Sequence, residues 1–229
     1  IAFVLFFTAL AMKCGAVPMH FWTPDSYAMA PSAITAFLVV SSQASLYALF
    51  RVCFTLYGGQ INPLTVGWVI IILGVLSMFV GVTMAIPQKD VKRLMAYHAV
   101  SQTGYMLLGV GVGLAALSST CLSQSVGMMA LKGGLFHIMN HALYKGLLFL
   151  TAGVIMYRCG TRNLNRLGGL GHTMKWTMVF FMIGALAIID RPDRFAKLVM
   201  VTPSPRYIDD GDYRGGFSPD DIDELLESM

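Results

Sequence analysis

Acidic side chains are almost missing from the first 189 positions of this 229-residue chain: Asp25 and Asp90 stand alone there, and the other ten acids fall within 190–229. Charge of either sign is scarce, 12% against roughly 25% in soluble domains, while 56% of residues are hydrophobic and the mean hydropathy is +0.66. These shortages exclude an ordinary soluble domain and predict an integral membrane protein. The net charge of +4 conceals two opposite halves. Eleven Lys and Arg against two acids make residues 1–189 strongly basic, and five against ten make 190–229 acidic, so the total carries no implication of nucleic-acid binding. Cysteine is sparse too: Cys14, Cys53, Cys121 and Cys159 are far apart, without CxxC or CxxH spacing, which excludes a zinc or disulfide framework and reads as small hydrophobes. The opening run IAFVLFFTALAM has no initiating Met and no basic n-region. It does not resemble a signal peptide, and it is expected to have been cut from something longer.

Long apolar runs are abundant. A span needs about 20 apolar residues, and the candidates are 1–17, 34–57, 65–86, 92–114, 126–157 and a short 176–189. The connections at 87–91 and 158–175, with the adjoining helix ends, hold Lys89, Lys92, Arg93, Arg158, Arg162, Arg166 and Lys175, whereas 58–64 and 115–125 carry no charge. The positive-inside rule then makes the basic connections cytoplasmic, and parity places 18–33 on the same side. The first run ends in KCGAVPMHFWTPD, where Pro18 and Pro24 are expected to interrupt regular hydrogen bonding and leave backbone groups that only protein or water can satisfy at membrane depth. The expected fold class is all-α: a polytopic transmembrane helix bundle over 1–189 with a discontinuous helix. A polar, acidic tail follows over 190–229, with a short helix at 219–228 introduced by Ser218 and Pro219.

The run 126–157 places His137, His141 and Lys145 in its middle. Residues at i, i+4 and i+8 share one helical stripe, and a charged residue at the bilayer centre costs roughly 2.5–3.5 kcal/mol on insertion scales, so the stripe is a candidate functional site. Histidine accepts a proton on one ring nitrogen and releases one from the other. Desolvation disfavours an ammonium, which would let Lys145, and Lys13 after twelve uncharged residues, exchange protons. The alternatives are interhelical hydrogen bonding of the two histidines, with Lys145 on a carbonyl, or haem or metal ligation, for which His20, His98 and His172 are no obvious partner ligands. The segment KRLMAYHAVSQTGY brings His98, Ser101 and Gln102 to one helical face, either a proton feed or interhelical bonding. Gln43 is polar in mid-span but cannot titrate. Asp25 is expected to pair with a lysine, in this chain or in a partner. GVGVG at 109–113 follows a membrane helix and is not a nucleotide loop.

Four segments, KCGAVPMHFWTPDSYAMAPSAITAFL, KRLMAYHAVSQTGYMLLGVG, GGLFHIMNHALYKGLLFLTAG and GTRNLNRLGGLG, resemble, in order and spacing, the antiporter-like membrane subunits of complex I, of Mrp-type antiporters and of membrane-bound hydrogenases and formate hydrogenlyases. The resemblance covers about 1–189. It implies a proton-translocating, or sodium/proton-translocating, subunit without a redox cofactor, metal or catalytic site of its own. The partners it implies are the bilayer and the other membrane subunits of a redox or antiporter complex in a prokaryotic cytoplasmic membrane. Lys13 takes the place of the family's central proton carrier on a broken helix, and His137, His141 and Lys145 match its intramembrane relay, with His20, Asp25, Gln43, His98, Ser101 and Gln102 as a supporting polar path. Three departures stand out. Gln43 replaces a second lysine found in many members, the helices preceding the broken one are not in the sequence, and after MVFFMIGALAI the pattern gives way to IDRPDRFAKLVM. PDSYAMAPSAITAFL leans towards the N-type quinone oxidoreductase subunit, while AYHAVSQTGYMLLG and the HxxxHxxxK stripe lean towards hydrogenase and Mrp types. The competing expectation is a non-conducting structural or assembly subunit, or a truncated fragment, that keeps the fold.

Overall fold

A computed structural model describes residues 1–118 and 123–186. The expected tail and its helix at 219–228 lie outside the described residues, as do 187–189 of the last candidate span. Within them the chain forms α1 (Ala2–Cys14), α2 (Trp22–Met29), α3 (Ser32–Arg51), α4 (Pro63–Ala85), α5 (Val91–Ala115), α6 (Gln124–Cys159), α7 (Leu170–Thr173) and α8 (Lys175–Leu186). α3 runs on through a wider turn, Val52–Leu56. Three helices are long and apolar enough to cross a bilayer, Ser32–Leu56, Pro63–Ala85 and Gln124–Cys159.

Burial runs against hydropathy. α4, the most apolar of the long helices, buries only Gly67, Ile70, Gly74, Ser77 and Gly81. α5, with its polar KRLMAYHAVSQTGY start, buries eighteen of its 25 residues. In lipid the apolar face turns outward and polar side chains gather inside, so α5 is the central column. α4 packs on one side of it and α6 on the other, while α3 and α8 pack on α6, α1 on α3, and α2 on α5. Glycines set the spacing: a Cβ at Gly74 would lie 2.8 Å from Gly104 O, so the α4 and α5 backbones touch.

The discontinuous first helix is present, but its break falls earlier than Pro18. α1 ends at Gly15, whose φ of +76° is left-handed. Gly15 N–H bonds Met12 O at 3.1 Å and Ala16 N–H bonds Ala11 O at 3.0 Å, the paired closure of a Schellman motif. Val17 N–H finds the Ser77 hydroxyl of α4 at 2.9 Å, and the Trp22 indole donates to Met12 O at 2.8 Å. Pro24 does not interrupt anything: it sits in the first turn of α2, where a missing N–H is harmless because that turn's N–H groups have no intrahelical acceptor.

Two apolar clusters fill the interior. One contains Ala11, Cys14, Leu46, Leu49, Phe50, Cys53, Met106, Leu107, Leu114 and Ile138; the other contains Tyr27, Val39, Met95, Ala96, Ala99, Tyr144, Leu148 and Phe149. On α3, α5 and α6 the residues between these clusters are Ser42 and Gln43, Ser101 and Gln102, and His141. A polar layer therefore divides the core. The break after α1 lies at the same depth, since Ser77 holds Val17 while Gly74 and Gly81 on either side of it meet Gly104 and Ser101.

Candidate functional site

The layer is built from α6 and α5. The His137, His141, Lys145 stripe faces α5 because α6 packs there on glycine contacts, such as Gly109 against Gly134. His141 is fully buried and Lys145 nearly so, at 0% and 1% exposure, while His137 is half-buried. His137 Nε2 meets Gln102 Oε1 at 2.7 Å. A carbonyl oxygen only accepts, so His137 donates through Nε2 and keeps Nδ1 as an acceptor. The Tyr144 hydroxyl reaches the same oxygen at a longer 3.4 Å. Lys145 Nζ donates to Met95 O at 3.1 Å. Ring centroids of His137 and His141 are 6.2 Å apart, and Tyr144 stands edge-on to His141 at 5.2 Å.

Several polar atoms in the layer are buried without a partner among the described residues: both ring nitrogens of His141, Nδ1 of His98, Oγ of Ser101 and Oε1 of Gln43. Buried polar groups are rarely left so, and polar interiors of this kind are where bound water ordinarily completes the hydrogen bonding. Lys145 has a neutral carbonyl rather than a carboxylate beside it. The acids among the described residues are Asp25, 3.1 Å from Arg93, and Asp90, 3.1 Å from Arg162.

The other expected residues are placed differently. Lys13 is exposed on the outer face of α1, near the depth of the polar layer but turned away from it; Ala11 and Cys14 take the inward positions. Gln43 is buried within the layer, at 3% exposure. His20 is buried in the turn between α1 and α2, its ring 4.6 Å from Phe21. Asp25 pairs with an arginine, Arg93, rather than a lysine, because α2 runs beside the start of α5. Cys14 and Cys53 pack in the core as small hydrophobes, whereas Cys159 is exposed.

Two residues of the interior escaped the sequence reading. Tyr144, which the sequence does not single out within the run 126–157, brings its hydroxyl to the Gln102 oxygen shared with His137. Lys92 was read as a topology charge, yet it is 0% exposed. Its signal was periodicity: Lys92, Met95, Ala96, Ala99 and Thr103 occupy one helical face, and all are buried.

The family model described as NADH:quinone oxidoreductase/Mrp antiporter, transmembrane, matches residues 1–194. The chain is 37% identical over 188 residues to hydrogenase-4 component B of Escherichia coli, covering 81% of this chain and 28% of that protein. It is 34% identical over 197 residues to NADH-quinone oxidoreductase subunit N of Desulforudis audaxviator, covering 84% of this chain and 36% of that protein. A chain of the Mrp complex from a Dietzia species superposes with a TM-score of 0.73 at 28% identity, covering 88% of this chain and 35% of the other. The chain thus spans roughly a third of the length of these relatives. With the apolar helices, the broken first helix and the polar layer, these matches make the chain an integral membrane protein belonging to the NADH:quinone oxidoreductase/Mrp antiporter transmembrane family.

Proposed function

We propose that these residues form the central part of a proton-translocating, or sodium/proton-exchanging, membrane subunit. The subunit would sit in a multi-subunit complex of a prokaryotic cytoplasmic membrane, driven by redox chemistry in other subunits. The observation that carries this reading is His141, fully buried between His137 and Lys145 with neither ring nitrogen engaged by any of the described residues. A histidine so placed can take a proton on one nitrogen and release one from the other. His137, fixed by Gln102, orients the start of the stripe. Lys145, held by a neutral carbonyl, offers an amine that is not tied to a carboxylate. His98, Ser101 and Gln43 turn further unpartnered atoms into the layer, giving water places to bridge between side chains. Lys13 stands at the break of the discontinuous helix and is the proposed central carrier; its side chain leaves from the outer face of α1, so its link to the layer would run through water at the break.

The test is substrate-driven proton uptake by proteoliposomes carrying the whole complex. Lys145→Ala and Lys13→Ala are each expected to lower uptake by about tenfold or more, the scale on which a positioned proton carrier matters, while assembly and electron transfer persist. Unchanged uptake in both variants would reject conduction through this chain. Gln43 favours a second reading, a non-conducting structural or assembly subunit, because a buried amide can hold a water but cannot carry a charge. Under it both variants pump normally and only assembly-disrupting substitutions lower uptake.

A further inference from the structure

A helix leaves its last four carbonyls without intrahelical partners, and α2 gives way before Pro31, which has no N–H to continue it. Three different elements take up the orphaned oxygens. Tyr27 O accepts from the Thr35 hydroxyl of α3 at 3.0 Å. Ala28 O accepts from the Arg162 guanidinium. Ala30 O accepts from the Lys92 amine. Both cations thereby sit at the partially negative end of a helix dipole.

The two cations are also tied to each other's elements. Arg162 Nε holds Asp90 Oδ2 at 3.1 Å, and Asp90 Oδ1 caps α5 by accepting from Lys92 N at 2.9 Å and Arg93 N at 3.2 Å. Val91 N–H bonds Arg162 O at 3.1 Å and Leu164 N–H bonds Lys89 O at 2.8 Å, stitching the two basic connections together. Arg93 adds a solvent-facing pair with Asp25 of α2. Both acids of the first 189 residues are thus engaged around α2. A topology signal accounts for cations at a membrane surface, but it does not call for a lysine with no exposure on a carbonyl 62 residues away.

We propose that Lys92 and Arg162 are positioning residues, a two-cation clamp on the carbonyl end of α2. The clamp fixes α2 against α5 and so sets where the break at 15–21, and Lys13 beside it, stands relative to the polar layer. Trp22 ties the start of α2 to Met12 O, Val17 ties the break to Ser77, and the buried Tyr27 ring anchors α2 in the core with its hydroxyl on Ser42. Release of the clamp therefore loosens the carbonyl end of α2 about Tyr27 and shifts the break with it. This inference deepens the translocation reading and rests on it.

The experiment uses the full-length subunit in its assembled complex, with the exposed Cys159 replaced by Ser and Ala28, 5% exposed, replaced by Cys. Labelling of that cysteine by a membrane-impermeant maleimide reads the clamp, and driven proton uptake reads its consequence. Lys92→Met and Arg162→Gln are expected to speed labelling by roughly fivefold or more, as loss of a buried hydrogen bond raises the open population, and to lower uptake. Lys92→Arg restores both. Arg162→Lys can reach Ala28 O or Asp90 but not both in the same geometry and gives an intermediate labelling rate, so the test does not depend on the harsher variants assembling. Labelling that stays slow in the Arg162 variants overturns the clamp. Faster labelling with normal uptake overturns the positioning role. Failure of the translocation reading shows separately, as uptake indifferent to Lys13 and Lys145.

Discussion

Gln102 does the most with the least chemistry of any residue in the layer. Its side-chain oxygen is the acceptor shared by His137 and Tyr144, and it has no charge to announce it in the sequence. Gln102→Leu strands both donors, and the expected loss is about 1–2 kcal/mol, between the average membrane hydrogen bond and the penalty for an unmatched buried group. A lowered thermal midpoint of the purified subunit in detergent would show it; Gln102→Glu, which keeps an acceptor oxygen, should fall nearer the parent. An unchanged midpoint for Gln102→Leu would mean that this oxygen is not the shared acceptor. The two polar stripes, His137–His141–Lys145 and His98–Ser101–Gln102, were legible separately because each repeats at helical spacing, but that they meet through Gln102 was not. The outward placement of Lys13 was not legible, because a lone lysine after an apolar run gives its depth but not its azimuth.

At the scale of elements, the break between α1 and α2 is the most constrained feature. Gly15 combines a left-handed φ of +76° with a neighbour that leaves no room, since a Cβ there would lie 2.6 Å from Thr23 Oγ1. Gly15→Ala is expected to cost about 1–2 kcal/mol from backbone strain alone, with the Thr23 clash added. Adding Thr23→Ala should recover the clash and leave the strain, so the double variant should melt between Gly15→Ala and the parent. Equal melting of parent and Gly15→Ala would refute the strained closure. The sequence pointed to Pro18 and Pro24 as the interrupting residues; the glycine acts first, and Pro24 fits inside the next helix because its first turn needs no N–H.

For the whole molecule, the helix ends that lead into the basic connections and those that lead into the uncharged ones lie at opposite ends of the bundle. Gly67 packs on Gly111 and Gly81 on Ser101 between α4 and α5, and Gly113 packs on Gly127 and Gly109 on Gly134 between α5 and α6, which makes both pairs antiparallel. Maleimide accessibility in oriented vesicles checks the orientation: native Cys159 is expected to react from the cytoplasmic side and a Gln60→Cys variant from the opposite side. Labelling of both from one side would contradict the helix count. Asp25→Asn should leave stability almost untouched, because Asp25 is largely exposed and Arg93 partly so, which leaves their pair screened by solvent. Loss at Arg162 unseats Asp90 and a helix carbonyl together.

The sequence by itself determined the membrane class, the long helices, the discontinuity after Lys13 and the membership of His137, His141 and Lys145 in one stripe. Each of these follows from local spacing and from the cost of charge in lipid, which depend on order along the chain. Only the tertiary structure decided that α5, the least apolar of the long helices, is the central column, that the polar groups of α3, α5 and α6 share one depth between two apolar clusters, and that Lys92 turns inward onto α2. Those facts depend on which helices meet and at what height. Apolar periodicity does not encode them in a bilayer, where lipid and protein interior are equally greasy and the close glycine contacts and polar partners choose the packing.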